Sequence, residues 1–208
     1  WFWAQWIYRA GYPAFSVTSA WDSVAGALTL SVRQTQLDTA TADSTGLRFE
    51  TPLAFRAPLA IRVGTASGDT VFRTVIDRRE QTITIGGIRT APTMVVFDAE
   101  NAVLKTLDFE QPTAWLAAEL AQERNLWNRA WSIGQLRARR GDSAAASALA
   151  VAARGAEYPT IRALAAAALG DFPAQAAFPS LEAAVGDTSA LVRKVAVTSA
   201  GGIAGDRS

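Results

Sequence analysis

Apolar residues fall at alternate positions through the first half of the chain: Phe15, Val17 and Trp21, then Leu28, Leu30 and Val32, then Leu59, Ile61 and Val63. A period of two is that of half-buried strands. Further strands are expected at residues 71–76, 82–86, 93–97 and 103–107. Turn chemistry separates them at Val24-Ala25-Gly26, Ser67-Gly68-Asp69, Gly86-Gly87 and Asp98-Ala99-Glu100-Asn101. About seven short strands in roughly a hundred residues describe an immunoglobulin-like antiparallel β-sandwich. Residues 37–46 break the rhythm, being polar and rich in threonine and aspartate, and Pro52 and Pro58 follow. A surface loop and an edge segment are expected there.

After Pro112 the period moves to about 3.6, with Thr113 as the expected N-cap before Trp115, Leu116 and Leu120 and with alanine dominant from Ala144 onward. Within this half Arg129-Ala130-Trp131-Ser132-Ile133 aligns with Arg162-Ala163-Leu164-Ala165-Ala166 and Arg193-Lys194-Val195-Ala196-Val197. The arginine spacings are 162 − 129 = 33 and 193 − 162 = 31. A period in the low thirties with two helices per unit describes a HEAT-like α-solenoid. Its third unit holds a helix containing Pro179, then Asp187 before Leu191-Val192-Arg193. The expected architecture is therefore multidomain, β then α. Residues 1–12 form a terminal helix, 13–111 the immunoglobulin-like β-sandwich and 112–208 the helical repeats.

The opening run WFWAQWIYRAG is too short to span a bilayer and has no basic segment before it, so neither a membrane span nor a signal peptide is expected. It reads as the last turns of a helix whose partners lie upstream, stopped by Gly11 and Pro13. An indole-rich surface of that kind is expected to pack on the sandwich or on another copy.

Half of the 208 residues are apolar, enough for a real core. Only Lys105 and Lys194 are lysines, so 18 of the 20 basic residues are arginine. With a formal net charge of +1, this is composition bias and not a nucleic-acid footprint. The chain has no cysteine and no histidine. Disulfides are thereby excluded, as is any nucleophile activated by histidine. A zinc site could use only an unusual all-carboxylate arrangement.

The remaining candidates have structural readings. Lys105 and Lys194 sit in no Ser-Lys motif. Gly201-Gly202-Ile203-Ala204-Gly205 follows a helix and lacks the lysine of a phosphate loop, so it reads as a frayed helix end. Arg137, Arg139 and Arg140 close a helix at Gly141, where cations meet the macrodipole favourably. Asp187 with Arg193, Arg162 and Arg129 reads as an inter-repeat ladder. Trp3, Trp6, Trp115, Trp127 and Trp131 lie in helices and only Trp21 in the strand region, which favours core and interface packing over sugar stacking. No catalytic, cofactor-binding or metal-binding residue is assigned.

The opening Phe2-Trp3, Gln5-Trp6, Ala10-Gly11-Tyr12-Pro13, Phe15 and Val17, running through Leu28, Leu30 and Val32 into Gln34-Thr35-Gln36, resembles the junction that leaves the catalytic domain in the aminopeptidase N-type (gluzincin) zinc metallopeptidases. Pro52, Pro58, the 93–98 strand, Leu104 and Leu107 are similar to the β-sandwich of that family, and the helical half is similar to the domain that follows it. The resemblance implies a zinc-bearing thermolysin-like domain before Trp1, carrying HExxH, a distant glutamate and a GxMEN-like loop. None of these motifs is in this chain, so the expectation is a non-catalytic, C-terminal part of such a peptidase from a bacterium, without a cofactor of its own. It would brace the intramolecular catalytic domain and shape substrate access, with peptide or protein along the concave helical face. The alternative is an interaction scaffold from a catalytically degenerate relative. Neither nucleic acid nor a membrane span is an expected partner, and the compartment stays open.

Overall fold

The computed structural model describes residues 1–42 and 44–205. It has two compact units, Trp1–Glu110 and Gln111–Ser208. A β-sheet region is followed by helices.

The first unit opens with a short helix, α1 (Phe2–Trp6), followed by nine strands: β1 (Ala14–Asp22), β2 (Ala27–Gln34), β3 (Ala40–Ala42), β4 (Arg48–Glu50), β5 (Ala57–Thr65), β6 (Gly68–Ile76), β7 (Glu80–Gly86), β8 (Pro92–Phe97) and β9 (Thr106–Phe109). One sheet has the order β7-β2-β1-β9 and another β6-β5-β8, while β3 and β4 pair by themselves. All neighbours are antiparallel except β1 and β9, which run parallel with Phe15 opposite Leu107 and Val17 opposite Phe109. The alternating apolar positions are the buried ones: Phe15, Val17, Leu28, Leu30, Val32, Ile83 and Ile85 in the first sheet, and Leu59, Ile61, Val63, Val95 and Phe97 in the second. The rings of Phe15, in the first sheet, and Phe97, in the second, meet edge to face with centroids 5.3 Å apart.

Three local expectations are corrected. The polar stretch expected to be a loop contains the β3–β4 hairpin, closed by a hydrogen bond from the Thr51 N–H to the Thr39 carbonyl at 3.0 Å. The threonines that flank it, Thr39 and Thr51, are β-branched, suit extended backbone and bring their hydroxyls within 3.3 Å of each other. The last strand begins at Thr106, because residues 98–105 are held in a turn by the Asp98 carboxylate. The opening helix is only five residues long and ends well before Gly11. Gly11 instead takes φ +81°, a left-handed conformation that glycine adopts freely, and a Cβ there would come within 2.9 Å of the Thr51 side chain.

The second unit holds α2 (Thr113–Gln122), α3 (Leu126–Arg137), α4 (Ser143–Gly155), α5 (Pro159–Leu169), α6 (Ala174–Val185) and α7 (Ala190–Gly205). Sequence neighbours pair as α2 with α3, α4 with α5 and α6 with α7; α2, α4 and α6 pack in one row and α3, α5 and α7 in another. Alanines at 145, 153, 165, 166, 177 and 196 are fully buried where the helices cross, and Leu116, Leu120, Leu136, Leu149, Leu169 and Leu181 fill the space between. Small residues at crossings let helices approach closely, and the leucines supply most of the apolar area removed from water. Pro112, not Thr113, is the N-cap of α2. Thr113 lies inside the first turn, and its hydroxyl donates to Asp142 Oδ2 at 2.6 Å.

Candidate functional site

Five places concentrate polar or aromatic groups. At the start of the chain, α1 lies against the segment before β5. The Gln5 amide accepts from the Arg56 N–H at 2.7 Å and donates to the Arg56 carbonyl at 3.0 Å, copying a strand partner. The Trp6 ring meets that of Phe55 at 5.5 Å, and the Arg56 guanidinium lies 5.0 Å from the centre of the Trp1 ring. The other side of the helix faces outward, leaving Trp1, Phe2, Trp3, Ile7 and Tyr8 at least half exposed.

Behind Phe55 lies a glutamine clamp. Gln34 is fully buried; its Oε1 accepts from the Phe55 N–H at 2.8 Å and its Nε2 donates to the Phe55 carbonyl at 2.8 Å. Gln36 donates to the carbonyls of Pro52 and Leu53 and accepts from the Ala14 N–H. These two side chains satisfy the backbone of an irregular segment that has no ladder of its own. Gln34-Thr35-Gln36 stands out in the sequence only through resemblance, because a buried glutamine leaves no periodic signal.

Lys105, which has no motif around it in sequence, is ion-paired inside the first unit. Its Nζ lies 2.6 Å from Asp98 Oδ2, and the two side chains are 9% and 0% exposed. Asp98 also accepts the N–H groups of Ala102 and Val103 and sits at φ +58°. The carboxylate thus organises the turn into β9 and the lysine neutralises it. Lys194 lies on α7, away from this pair in sequence and in the other unit.

In the second unit, Arg129, Arg162 and Arg193 are each the fourth residue of α3, α5 and α7. Arg162 Nη1 donates to the carbonyls of Ala156 and Glu157, six and five residues back, and Arg193 Nη1 donates to those of Asp187 and Thr188 at the same offsets. Each satisfies carbonyls left open beyond a helix C-terminus. Arg129 instead donates through Nε to the Leu120 carbonyl at 2.9 Å. One ion pair joins α5 to the turn after α6: Arg162 grips Asp187 through Nε and Nη2, at 2.7 and 2.9 Å. Thirty-one residues before Asp187 stands Ala156, which offers no carboxylate to Arg129.

The Arg162 guanidinium holds the Asp187 carboxyl below its ordinary range, and burial opposes that shift. Beside this ion pair is a shallow cleft of about 430 Å³, floored by Ala153, Ala183 and Ala184 and rimmed by Arg154 and Thr188.

Arg137 and Arg140 both reach Asp171 after α5, and Arg139 donates to Thr113 Oγ1 and to the Gln111 carbonyl. Asp142 caps α4 through the Ala144 and Ala145 N–H groups. The Thr113 hydroxyl is the foremost of the groups that depress its carboxyl. Arg137 and Arg140 therefore tie the α2–α3 pair to the end of α5, while Arg139 ties the end of α3 to the start of α2. The glycine run 201–205 is the last part of α7. Of the tryptophans, Trp21 donates its indole N–H to the Ile88 carbonyl at 3.0 Å, whereas Trp127, expected to be packed, is 72% exposed on α3.

The donor set does not fit zinc, since imidazole and thiolate are absent from the whole chain. Among the described residues no three carboxylates converge, and none of their helices is long and apolar enough to cross a membrane.

No protein-family model matches the chain, and no curated protein matches it. Among solved structures it is similar to an aminopeptidase A of Legionella pneumophila, crystallised in complex with aspartic acid. The TM-score is 0.60 and the identity 10%, over 95% of this chain. The chain spans 28% of the length of that aminopeptidase. The fold is thus one found within a peptidase.

Proposed function

We propose that this chain is a non-catalytic, C-terminal part of an aminopeptidase N-like zinc metallopeptidase, made of an immunoglobulin-like β-sandwich and HEAT-like repeats. The observation that carries this reading is the fold match, which takes in nearly the whole chain and about a quarter of an aminopeptidase. The donor set adds to it, because the catalytic step in that class needs a metal-bound water, a general base and a group for the developing oxyanion. In the proposed parent those belong to another domain. The part described here supplies shape. Its sandwich braces the catalytic domain, the exposed face of α1 packs on that domain, and the paired helices limit which peptides enter.

The test is calorimetric zinc titration and aminoacyl-fluorophore turnover, run on the chain alone and on the product of the same reading frame extended upstream of Trp1. Turnover only in the extended protein, whose added sequence carries HExxH, is the expected result. Stoichiometric zinc uptake or metal-dependent turnover by the chain alone overturns the reading. An extended protein that lacks HExxH and activity favours the scaffold alternative instead.

A further inference from the structure

β6 is the longest strand at the edge of a sheet, and its outer side has no strand partner among the described residues. Its first four residues are exposed, as is Arg73, and Val71 keeps 51% of its surface in water. Edges of this length are ordinarily protected by charged side chains, proline or a bulge, and β6 has no proline, lysine or bulge, only the charges of Asp69 and Arg73.

Three observations fix which of its peptide groups face outward. The β5–β6 hairpin closes on the pair Thr65–Gly68 across two residues, which turns the N–H and C=O of Gly68, and of every second residue after it, toward β5. Val75 lies opposite Pro58, which has no N–H to offer it. The Gln81 amide supplies what is missing from outside: its Nε2 donates to the Val75 carbonyl at 2.9 Å and its Oε1 accepts from the Asp77 N–H at 3.3 Å. Odd-numbered residues therefore present their peptide groups to the open side. One side-chain amide already occupies the far end as a strand would, and Asp69, Val71 and Arg73 stand open before it.

We propose that a second copy of this chain docks here, β6 against β6, antiparallel and centred on Val71. A two-fold axis at that residue makes Val71 a hydrogen-bonded pair with its counterpart and sets Asp69 opposite Arg73 twice. Opposite charges directly across a ladder stabilise it and like charges oppose it. Centring on Asp69 or on Arg73 would place like charges face to face, and centring on residue 70 or 72 would set a charge against Val71. The sequence of β6 is thus complementary to itself in one register. Both charges have a partner within the chain: Arg73 meets Glu100 in an exposed contact that is exchanged at little cost, and Asp69 accepts from Arg62 Nε at 2.8 Å through Oδ2, which leaves its other oxygen to meet Arg73 of the second copy.

The experiment is sedimentation of the full chain over a concentration series up to about 1 mM, the range in which weak association appears, with amide exchange followed at Asp69, Val71 and Arg73. The expected result is a dimer whose formation protects those three N–H groups. Val71→Pro removes an outward N–H and no internal ladder bond, so it should weaken the dimer at least about tenfold while the fold persists. Asp69→Arg and Arg73→Asp should each weaken it, and the two together should restore it. Phe2→Ser with Trp3→Ser, which strips the aromatic face of α1, should leave it intact.

A chain monomeric throughout the series, whose edge is then left to a foreign strand, overturns the proposal. So does a dimer that survives Val71→Pro, or one abolished by the α1 substitutions. Charge variants whose combination fails to rescue overturn the register. None of these readings depends on peptidase activity or zinc.

Discussion

Replacing Asp187 by alanine should destabilise the helical unit by about 2 kcal/mol. The substitution removes two charge-assisted bonds from Arg162, at 2.7 and 2.9 Å, and a third from the Ser189 N–H at 2.7 Å. Hydrogen bonds to charged groups contribute about 1.5–3 kcal/mol where a partner is left buried. The side chains of Arg162 and Asp187 are 13% and 10% exposed, so water replaces part of what is lost and the lower half of that range applies. The helical unit has 208 − 110 = 98 residues. For a unit of this size, 2 kcal/mol corresponds to a fall in melting temperature of about 10 °C. The assay is thermal unfolding of the full chain followed by helical circular dichroism.

Acid provides an independent check. Arg162 depresses the Asp187 carboxyl in the folded state. Its contribution is therefore fully present above the unfolded value of about 3.9 and is lost as pH falls through the lower folded value. The gap between the parent chain and Asp187→Ala should close below about pH 4. Asp187→Asn, which keeps an acceptor for Ser189 and loses the charge, should fall between them. A melting temperature unchanged in Asp187→Ala, or a gap that widens in acid, would refute the account of this ion pair.

Lys105→Met should destabilise the first unit by about 3–5 kcal/mol by leaving the Asp98 carboxylate buried without its cation. Denaturant titration checks this, and adding Asp98→Asn should recover part of the loss. Gln34→Ala should cost about 1–3 kcal/mol through the unpaired Phe55 peptide groups, read as a lower denaturation midpoint with an unchanged slope. Leu30→Ala, at a position with no exposed surface, should cost about 2–5 kcal/mol in the same assay, and a smaller effect would mean that the core between the sheets is not close-packed there.

The order of strands before helices was legible in the chain, because burying one face of a strand or helix forces a period that survives any tertiary detail. Leu28, Leu30 and Val32 alternate and are buried; Leu116 and Leu120 recur at helical spacing and are buried. The repeated arginines were visible for a related reason, since each is the fourth residue of its helix, and two of them, Arg162 and Arg193, close the preceding loop at the same offsets. Contacts between distant positions have no such period. Asp98 and Lys105 share a turn that holds two left-handed residues, Asp98 and Asn101, and Gln34 meets Phe55 across 21 residues of chain. The partner of Arg162 is Asp187, whereas Arg129 bonds the Leu120 carbonyl. The open side of β6 was likewise hidden. Strand character is written in side chains that alternate between faces, but which edge of a strand stays unpaired follows from the strand order alone.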